Sequence, residues 1–336
     1  HDLIVQGLVS PTWQIRRHES HEKALFDLSV LNADTRYPYR LQCEQRVLTR
    51  LADAMAQKTA NLQVRYGCEL TGLTQDDSGV TATVNTPGGT ETITARYLIA
   101  ADGARSICRK LTGMTFTGET YPETTILATT PYRFEDQLPG LSNVNYVWCA
   151  QGTFSLLRLP DIWRCSLYSD PDESVEQALE PQAIERKLQR IVPRDEPYEI
   201  VEIRPYRIHR RLIDDYRAGR VLFAGDAAHL TSPSGGMGMN GGIHDAFSLC
   251  EKLVAVIEGA DAALLQRYER QRRPIAEEEI IAQAHRNRTR MLERDDSKRQ
   301  AMLDDLKRTT DDPVKLKTYL LKSSMFEGLR RAAAVT

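Results

Sequence analysis

Two short carboxylate–glycine pairs are the residues of this 336-residue chain best suited to hold a hydroxylated, anionic ligand. One is Gly225-Asp226, followed by Ala227-Ala228-His229, Pro233 and the run Gly235-Gly236-Met237-Gly238-Met239-Asn240-Gly241-Gly242. The other is Asp102-Gly103, followed by Ala104-Arg105-Ser106. Each ends a short apolar stretch that reads as a strand, and α/β sheets bind ligands at the carboxyl ends of their strands. An Asp there accepts hydrogen bonds from ribose or ribityl hydroxyls. A glycine-rich loop entering a helix exposes backbone N–H groups at a positive dipole end, which suits anionic oxygen or a reduced, electron-rich ring. The alternative is a tight strand-to-helix crossover, but the run is longer than any turn requires. Gly236, Gly238 and Gly241 also satisfy the dinucleotide pattern G-x-G-x-x-G. That fingerprint follows its strand directly, whereas ten residues separate Gly225 from Gly236, so the match is rejected.

The elements that position these residues read as α/β. Helical spacing of Val47, Leu48, Leu51 and Met55 predicts a helix over 42–57. Strands are expected at 62–71, at 80–84 and, after the Pro87-Gly88-Gly89 turn, at 90–101, whose last residues are apolar on both faces as in a buried parallel strand. Strands at 124–130, 144–149, 154–159 and 163–169, a helix over 174–191 capped by Ser174 and a strand at 199–208 form a separate antiparallel lobe. A strand at 221–224 leads through the glycine run to a helix over 243–257. Charged helices follow, divided at Pro274 and at Asp311-Asp312-Pro313. The implied domains are 1–120 and 206–262 for a Rossmann-like parallel sheet, 121–205 for an inserted antiparallel substrate domain, and 263–336 for C-terminal helices.

Composition narrows the partners. With 44 basic and 46 acidic residues the net charge is −2, which gives no strong pull on nucleic acid or anionic lipid. No apolar run approaches the ~20 residues of a membrane span. The six cysteines form no C-x-x-C and do not cluster with histidine, so neither a metal site nor a disulfide framework is expected, and a reducing cytoplasm fits.

Taken together, the motifs resemble the flavin-dependent aromatic hydroxylases, the p-hydroxybenzoate hydroxylase-like FAD monooxygenases. Gly225-Asp226 through Pro233 is similar to that family's G-D-x6-P motif, Asp102-Gly103 to its D-G motif, and Arg40-Leu41-Gln42-Cys43-Glu44-Gln45 to its glutamine segment at a helix start. The two Asp motifs lie in the family's order, about 120 residues apart. The resemblance implies that Asp226 binds the ribityl chain of FAD and that Pro233 sits against the isoalloxazine ring. The N–H groups near Gly238, Met239 and Asn240 would face its pyrimidine edge, and Gly225 and Gly236 would also belong to the cofactor-binding residues. Gln42 and Asp102-Gly103 would serve the pyrophosphate region, with Asp102 also supporting nicotinamide access. Asp245-Ala246-Phe247-Ser248-Leu249-Cys250-Glu251-Lys252-Leu253 departs from the family's D-A-x-N-L-x-W-K-L, which leaves local packing open. The family opens with a strand–G-x-G-x-x-G–helix that has no counterpart before Gln42, and an N-terminally incomplete chain with a weakened sheet is expected.

The implied activity is hydroxylation of a phenolic or other aromatic substrate with NADPH or NADH and O2 through a flavin C4a-hydroperoxide, by a monomer or homodimer. A related FAD halogenase or isoprenoid reductase, or a non-catalytic fragment, is the alternative. Arg210 and Arg211, beside His209, are candidates for nicotinamide-cofactor phosphates or for a solvated basic edge. Tyr146, Trp148, Phe154 and Trp163 are candidates for an aromatic substrate pocket or for sheet core. His229 reads as structural, and the arginines of 286–290 as a solvated helix face.

Overall fold

The computed structural model describes residues 1–170 and 172–336. They form two compact units. The first comprises His1–Val64, Pro122–Ile208 and Thr289–Leu321, and the second Arg65–Tyr121, His209–Arg288 and Lys322–Thr336. This corrects the expected division in two places. Residues 1–64 group with the middle sheet, because the Thr12–Arg17 strand pairs in parallel with Val144–Cys149. The C-terminal helices are shared between the units instead of standing apart.

In the first unit the strands run 122–130, Trp163–Tyr168, Gly152–Arg158, Val144–Cys149, Thr12–Arg17 and Lys23–Asp27, antiparallel apart from the one parallel pair. Alternation works as it should for a sheet with one covered face: Trp163, Cys165 and Leu167 point inward from one strand. The Pro181–Ile191 helix lays Ile184, Leu188 and Ile191 into the same core. The helix expected over 174–191 is broken. Ser174 and Gln177 form a capping box on a one-turn helix, and Pro181 then opens a new helix, because its ring tolerates only the first turn. The Gln45–Ala56 helix is preceded by a short strand, Arg40–Gln42, paired with Leu8–Ser10. Gln42 therefore ends a strand and does not begin the helix.

The second unit holds two small sheets. Glu69–Gln75, Val80–Thr86 and Gly89–Ala95 form an antiparallel meander. The strand expected at 62–71 starts late, because the chain turns at Gly67, φ +68°. The strand expected at 90–101 is two, with a break at Arg96-Tyr97 that sends Leu98–Ala100 into the other sheet. There Leu98–Ala100 lies parallel to Val221–Phe223, which in turn pairs with Arg217–Ala218. Val221, Leu222 and Phe223 are fully buried, but Ile99 is 43% exposed, since its strand is the edge of this sheet. Pro274 does not divide the helices: Ala263–Ile275 widens into a π segment, Ala276–Ile281, and continues as Ala282–Leu292. Pro313 does mark a break, opening Pro313–Ser323.

Gly118 shows how tightly the second unit is packed. Its φ is +138°, and a Cβ there would overlap the Arg210 carbonyl oxygen. Gly118→Ala is expected to cost roughly 3 kcal/mol, from an unfavourable φ together with overpacking. Gly88→Ala, at an open position with Thr86 Oγ1 as its nearest neighbour at 3.7 Å, serves as control. Equal urea-unfolding midpoints for the two variants would show that the close approach is not enforced.

Candidate functional site

Both Asp–Gly pairs leave the same end of two adjacent parallel strands. Phe223 pairs with Ala100, and the Ala224 N–H donates to Ala100 O at 3.1 Å, so the chain exits at Gly225-Asp226 beside Asp102-Gly103. Gly225, φ +60°, starts a single 3-10 turn to Ala227. The Met237–Ile257 helix packs directly on this turn: a Cβ on Gly242 would stand 3.0 Å from Gly225 Cα.

Arg109 ties the two turns together. It lies in the short Ile107–Leu111 helix, whose start is capped by Ser106 Oγ, accepting from Arg109 N at 2.9 Å, and by Asp102 Oδ2, accepting from Cys108 N at 3.1 Å. Its buried guanidinium donates to Ala227 O at 2.9 Å and Ala104 O at 2.8 Å, and stacks 3.7 Å above the Phe116 ring. Burial disfavours the charge of Arg109 and lowers its pKa, with Asp102 opposing. For Asp102 burial acts upward, but its hydrogen bonds from Ser106 and Cys108 outweigh that and hold the carboxyl below the usual range. One Asp102 oxygen is thus committed to the helix cap, a role not foreseen from the motif.

A second, fully buried cluster lies behind the Gly225 turn. Asp245 Oδ2 accepts from Gly225 N at 3.2 Å and meets His229 Nε2 at 2.8 Å, while Oδ1 accepts from Arg272 Nε at 2.8 Å. Burial alone would raise the Asp245 pKa. The charges and hydrogen bonds of His229 and Arg272 prevail and lower it. His229 is therefore structural, as its position suggested. Asp245 and Arg272 were missed as site residues. The signal for Asp245 was its place in the D-A motif; Arg272 lies in a charge-rich helix where no sequence pattern separates it from its neighbours.

In front of the turn the groups are turned outward. Asp226 is exposed and, among the described residues, has no hydrogen-bond partner. It is still crowded enough by protein for desolvation to raise its pKa, with His229 opposing. Pro233 and Gly236 are exposed as well. The helix begins at Met237, six residues earlier than expected, so the glycine run from Met237 to Gly242 lies in its first two turns. Gly236, φ +70°, is the N-cap and provides no side-chain acceptor, which leaves the N–H groups of Met237, Gly238 and Met239 without intrahelical partners. Asn240 lies past these free donors, and its Nδ2 donates back to Gly236 O at 2.7 Å. An unpaired, outward carboxylate beside an uncapped helix start fits a group that carries both hydroxyls and an electron-rich ring.

The remaining candidates separate. Gln42, Tyr146, Trp148, Phe154 and Trp163 belong to the first unit. Trp148 and Trp163 are 1% and 3% exposed, with their indole N–H groups given to Arg290 O and Glu135 Oε2. They are core, and so is Phe154, edge-on to His18. Tyr146 is half-buried, edge-on to Trp13. Arg211 donates to Phe116 O and Thr120 Oγ1, both at 3.4 Å, and Arg210 lies 3.8 Å from Glu119.

Paired Asp–Gly turns at the ends of parallel strands, with a free helix N-terminus beside them, define an FAD-binding α/β protein. Comparison with known proteins agrees: residues 7–283 match the family model described as FAD binding domain, and the chain belongs to that family. It is 33% identical to Para-nitrophenol 4-monooxygenase of Pseudomonas sp. (strain WBC-3), over 98% of this chain and 82% of the relative. It is 32% identical to Pentachlorophenol 4-monooxygenase of Sphingobium chlorophenolicum, over 82% of this chain and 51% of that one. The solved structure of p-nitrophenol 4-monooxygenase from Pseudomonas putida DLL-E4 superposes with a TM-score of 0.88 at 32% identity, covering 98% of this chain and 83% of that one. A complex of aklavinone-11 hydroxylase with FAD and aklavinone gives a TM-score of 0.72 at 26% identity, covering 84% of this chain and 55% of that one. The chain is a flavoprotein of the aromatic monooxygenase class, with FAD as cofactor. No helix among the described residues is long and apolar enough to cross a membrane.

Asp245→Asn leaves Arg272 buried without its counter-charge and is expected to destabilise the fold by about 3–5 kcal/mol. Because the folded-state pKa of Asp245 is lowered, its contribution is present at neutral pH and is lost as acidification protonates it, below the ordinary Asp value of about 3.9. Urea unfolding followed from pH 7 downward should show the gap between wild type and variant narrowing in acid. A constant gap would exclude the ion pair as its source.

Proposed function

We propose that this enzyme hydroxylates a phenolic ring, using NADPH or NADH and O2. The observation that carries this reading is the outward, unpartnered Asp226 beside the uncapped start of the Met237–Ile257 helix. FAD bound there would supply the redox chemistry, taking electrons from NAD(P)H so that one atom of O2 is inserted into the ring and the other leaves as water. Asp226 would hold ribityl hydroxyls, while Gly225 and Gly242 keep the turn and helix close enough to do so. The N–H groups of Met237, Gly238 and Met239 would stabilise negative charge on the ring edge that faces them, as preorganised donors do. Asp102-Gly103 would serve the pyrophosphate. The two named phenol monooxygenases among the relatives support a phenol over other aromatics. Six free cysteines fit a cytoplasmic enzyme, acting as monomer or homodimer.

Asp226→Ala should weaken FAD binding by about 1–3 kcal/mol, the loss from a broken hydrogen bond to a charged group. Fluorescence titration of the apoprotein with FAD measures this, and unchanged affinity would remove Asp226 from the site. The activity itself is tested by screening phenols for stimulated NAD(P)H oxidation with a hydroxylated product. Hydrogen peroxide equal to the NAD(P)H consumed, with every phenol, would overturn the hydroxylation reading.

A further inference from the structure

Within the first unit, the hairpin of Val144–Cys149 and Gly152–Arg158 meets the last turn of the Pro181–Ile191 helix over a cleft of about 490 Å³, part of it open to solvent. That is the size of a site for one small molecule. Phe154, Leu167 and Ile191, all buried, form its apolar wall. Lys187, Arg190 and Arg294 form its charged wall. Arg190 and Ile191 follow Lys187 by three and four residues, so one helix face carries all three. Asp170 holds both helix cations. Its oxygens accept from Arg190 Nη1 at 2.8 and 3.0 Å, and it lies 3.7 Å from Lys187 Nζ, which also pairs with Glu173.

Arg294 differs from these two. It stands just before the Asp296–Thr310 helix and forms no ion pair among the described residues. Its Nη1 donates to Gln151 O at 2.7 Å. The guanidinium rests on the hairpin turn itself: a Cβ on Gly152, φ +147°, would overlap Nη1. Arg299 braces the same turn from its buried side, donating to Cys149 O and Gly152 O, both at 2.9 Å. Burial lowers the Arg299 pKa, and the charge of Arg294 adds to that. The nearby carboxylate of Glu19 is taken by Ala150 N at 2.7 Å. Burial, with Glu19, raises the pKa of the Cys149 thiol, so that part of the lining stays neutral. The turn therefore carries a fixed guanidinium that no protein carboxylate pairs, beside an apolar recess.

We propose that this cleft is a second small-molecule site, which takes a compact organic carboxylate with its apolar body against Phe154, Leu167 and Ile191 and its carboxylate on Arg294, with Arg190 beside it. Arg190 gives only Nη1 to Asp170, and Arg294 only Nη1 to Gln151, so each keeps Nη2 and Nε for a ligand. A planar guanidinium suits a carboxylate, which it can pair with two parallel hydrogen bonds. Asp170 and Glu173 already balance Arg190 and Lys187, which leaves the charge of Arg294 to be met and favours a monoanion over a phosphate dianion. The site requires neither FAD nor a phenol.

Cys149 lines the cleft and serves as its reporter. In the holoenzyme, alkylation of Cys149 by iodoacetate and by iodoacetamide is followed by peptide mass spectrometry, with the exposed Cys250 as internal reference. The ratio of the iodoacetate rate to the iodoacetamide rate should be about tenfold higher at Cys149 than at Cys250, the effect of one hydrogen bond to a charged group. In Arg294→Gln, checked by its unfolding midpoint, that excess should vanish. Benzoate should protect Cys149 and leave Cys250 reactive, and benzamide should protect neither. Equal ratios at the two cysteines, or benzamide protecting as well as benzoate, would overturn the proposal. Should Arg294→Gln not fold, the benzoate and benzamide comparison in wild type decides. Should Cys149 react with neither reagent, calorimetric titration with benzoate decides: wild type should bind one equivalent more than Arg294→Gln, and equal stoichiometry would sink the site.

Discussion

Asp245 divides its two buried oxygens between the backbone N–H of Gly225 and His229 on one side and the Arg272 guanidinium on the other, and the rest of the cofactor end follows from that division. Two parts of the chain distant from each other are held on one carboxylate: the segment from the Gly225 turn to His229, and the Ala263–Ile275 helix. A buried ion pair of this kind is weak evidence for stability, since desolvation offsets much of its attraction. Its value here is positional. A carboxylate in a low-dielectric interior strongly penalises any arrangement that leaves it unpaired, so the turn has one place to sit.

Arg109 does the complementary work on the other side of the turn. By donating to both Ala227 and Ala104 it couples the two Asp–Gly motifs, which the parallel pairing of Leu98–Ala100 with Val221–Phe223 has already brought level. The glycines matter for the same reason. Gly242 lets a helix start rest on Gly225 backbone, so the free N–H groups of that helix and the outward Asp226 share one surface. The carboxylate of Asp245 and the guanidinium of Arg109 face inward and are paired with protein, whereas Asp226 faces outward and has no hydrogen-bond partner among the described residues. That asymmetry separates a binding site from a well-made turn.

Part of the antiparallel lobe was legible locally: three of its strands and the Ser174 cap lie close to where the sequence places them. Period-two burial is a local property, written directly into residue order. The aromatics of that lobe were not legible in the same way. Trp148 and Trp163 fill the core and give their N–H groups to partners 142 and 28 residues away, and spacing along a strand does not reveal which face is covered.

The sequence by itself determined the motifs and their chemistry: two Asp–Gly turns at strand ends, a glycine run and a family pattern that the comparisons bear out. Tertiary structure alone decided that helix Met237–Ile257 begins within the glycine run, that Asp102 caps a helix and that residues 1–64 join the middle sheet. It also brought Asp245, Arg272 and Arg109 onto the turn. The physical reason is common to all of these. Each depends on a hydrogen bond, ion pair or strand pairing whose partner is supplied by the fold, and a residue's type and neighbours in the chain do not specify which distant group will neutralise it once water is gone.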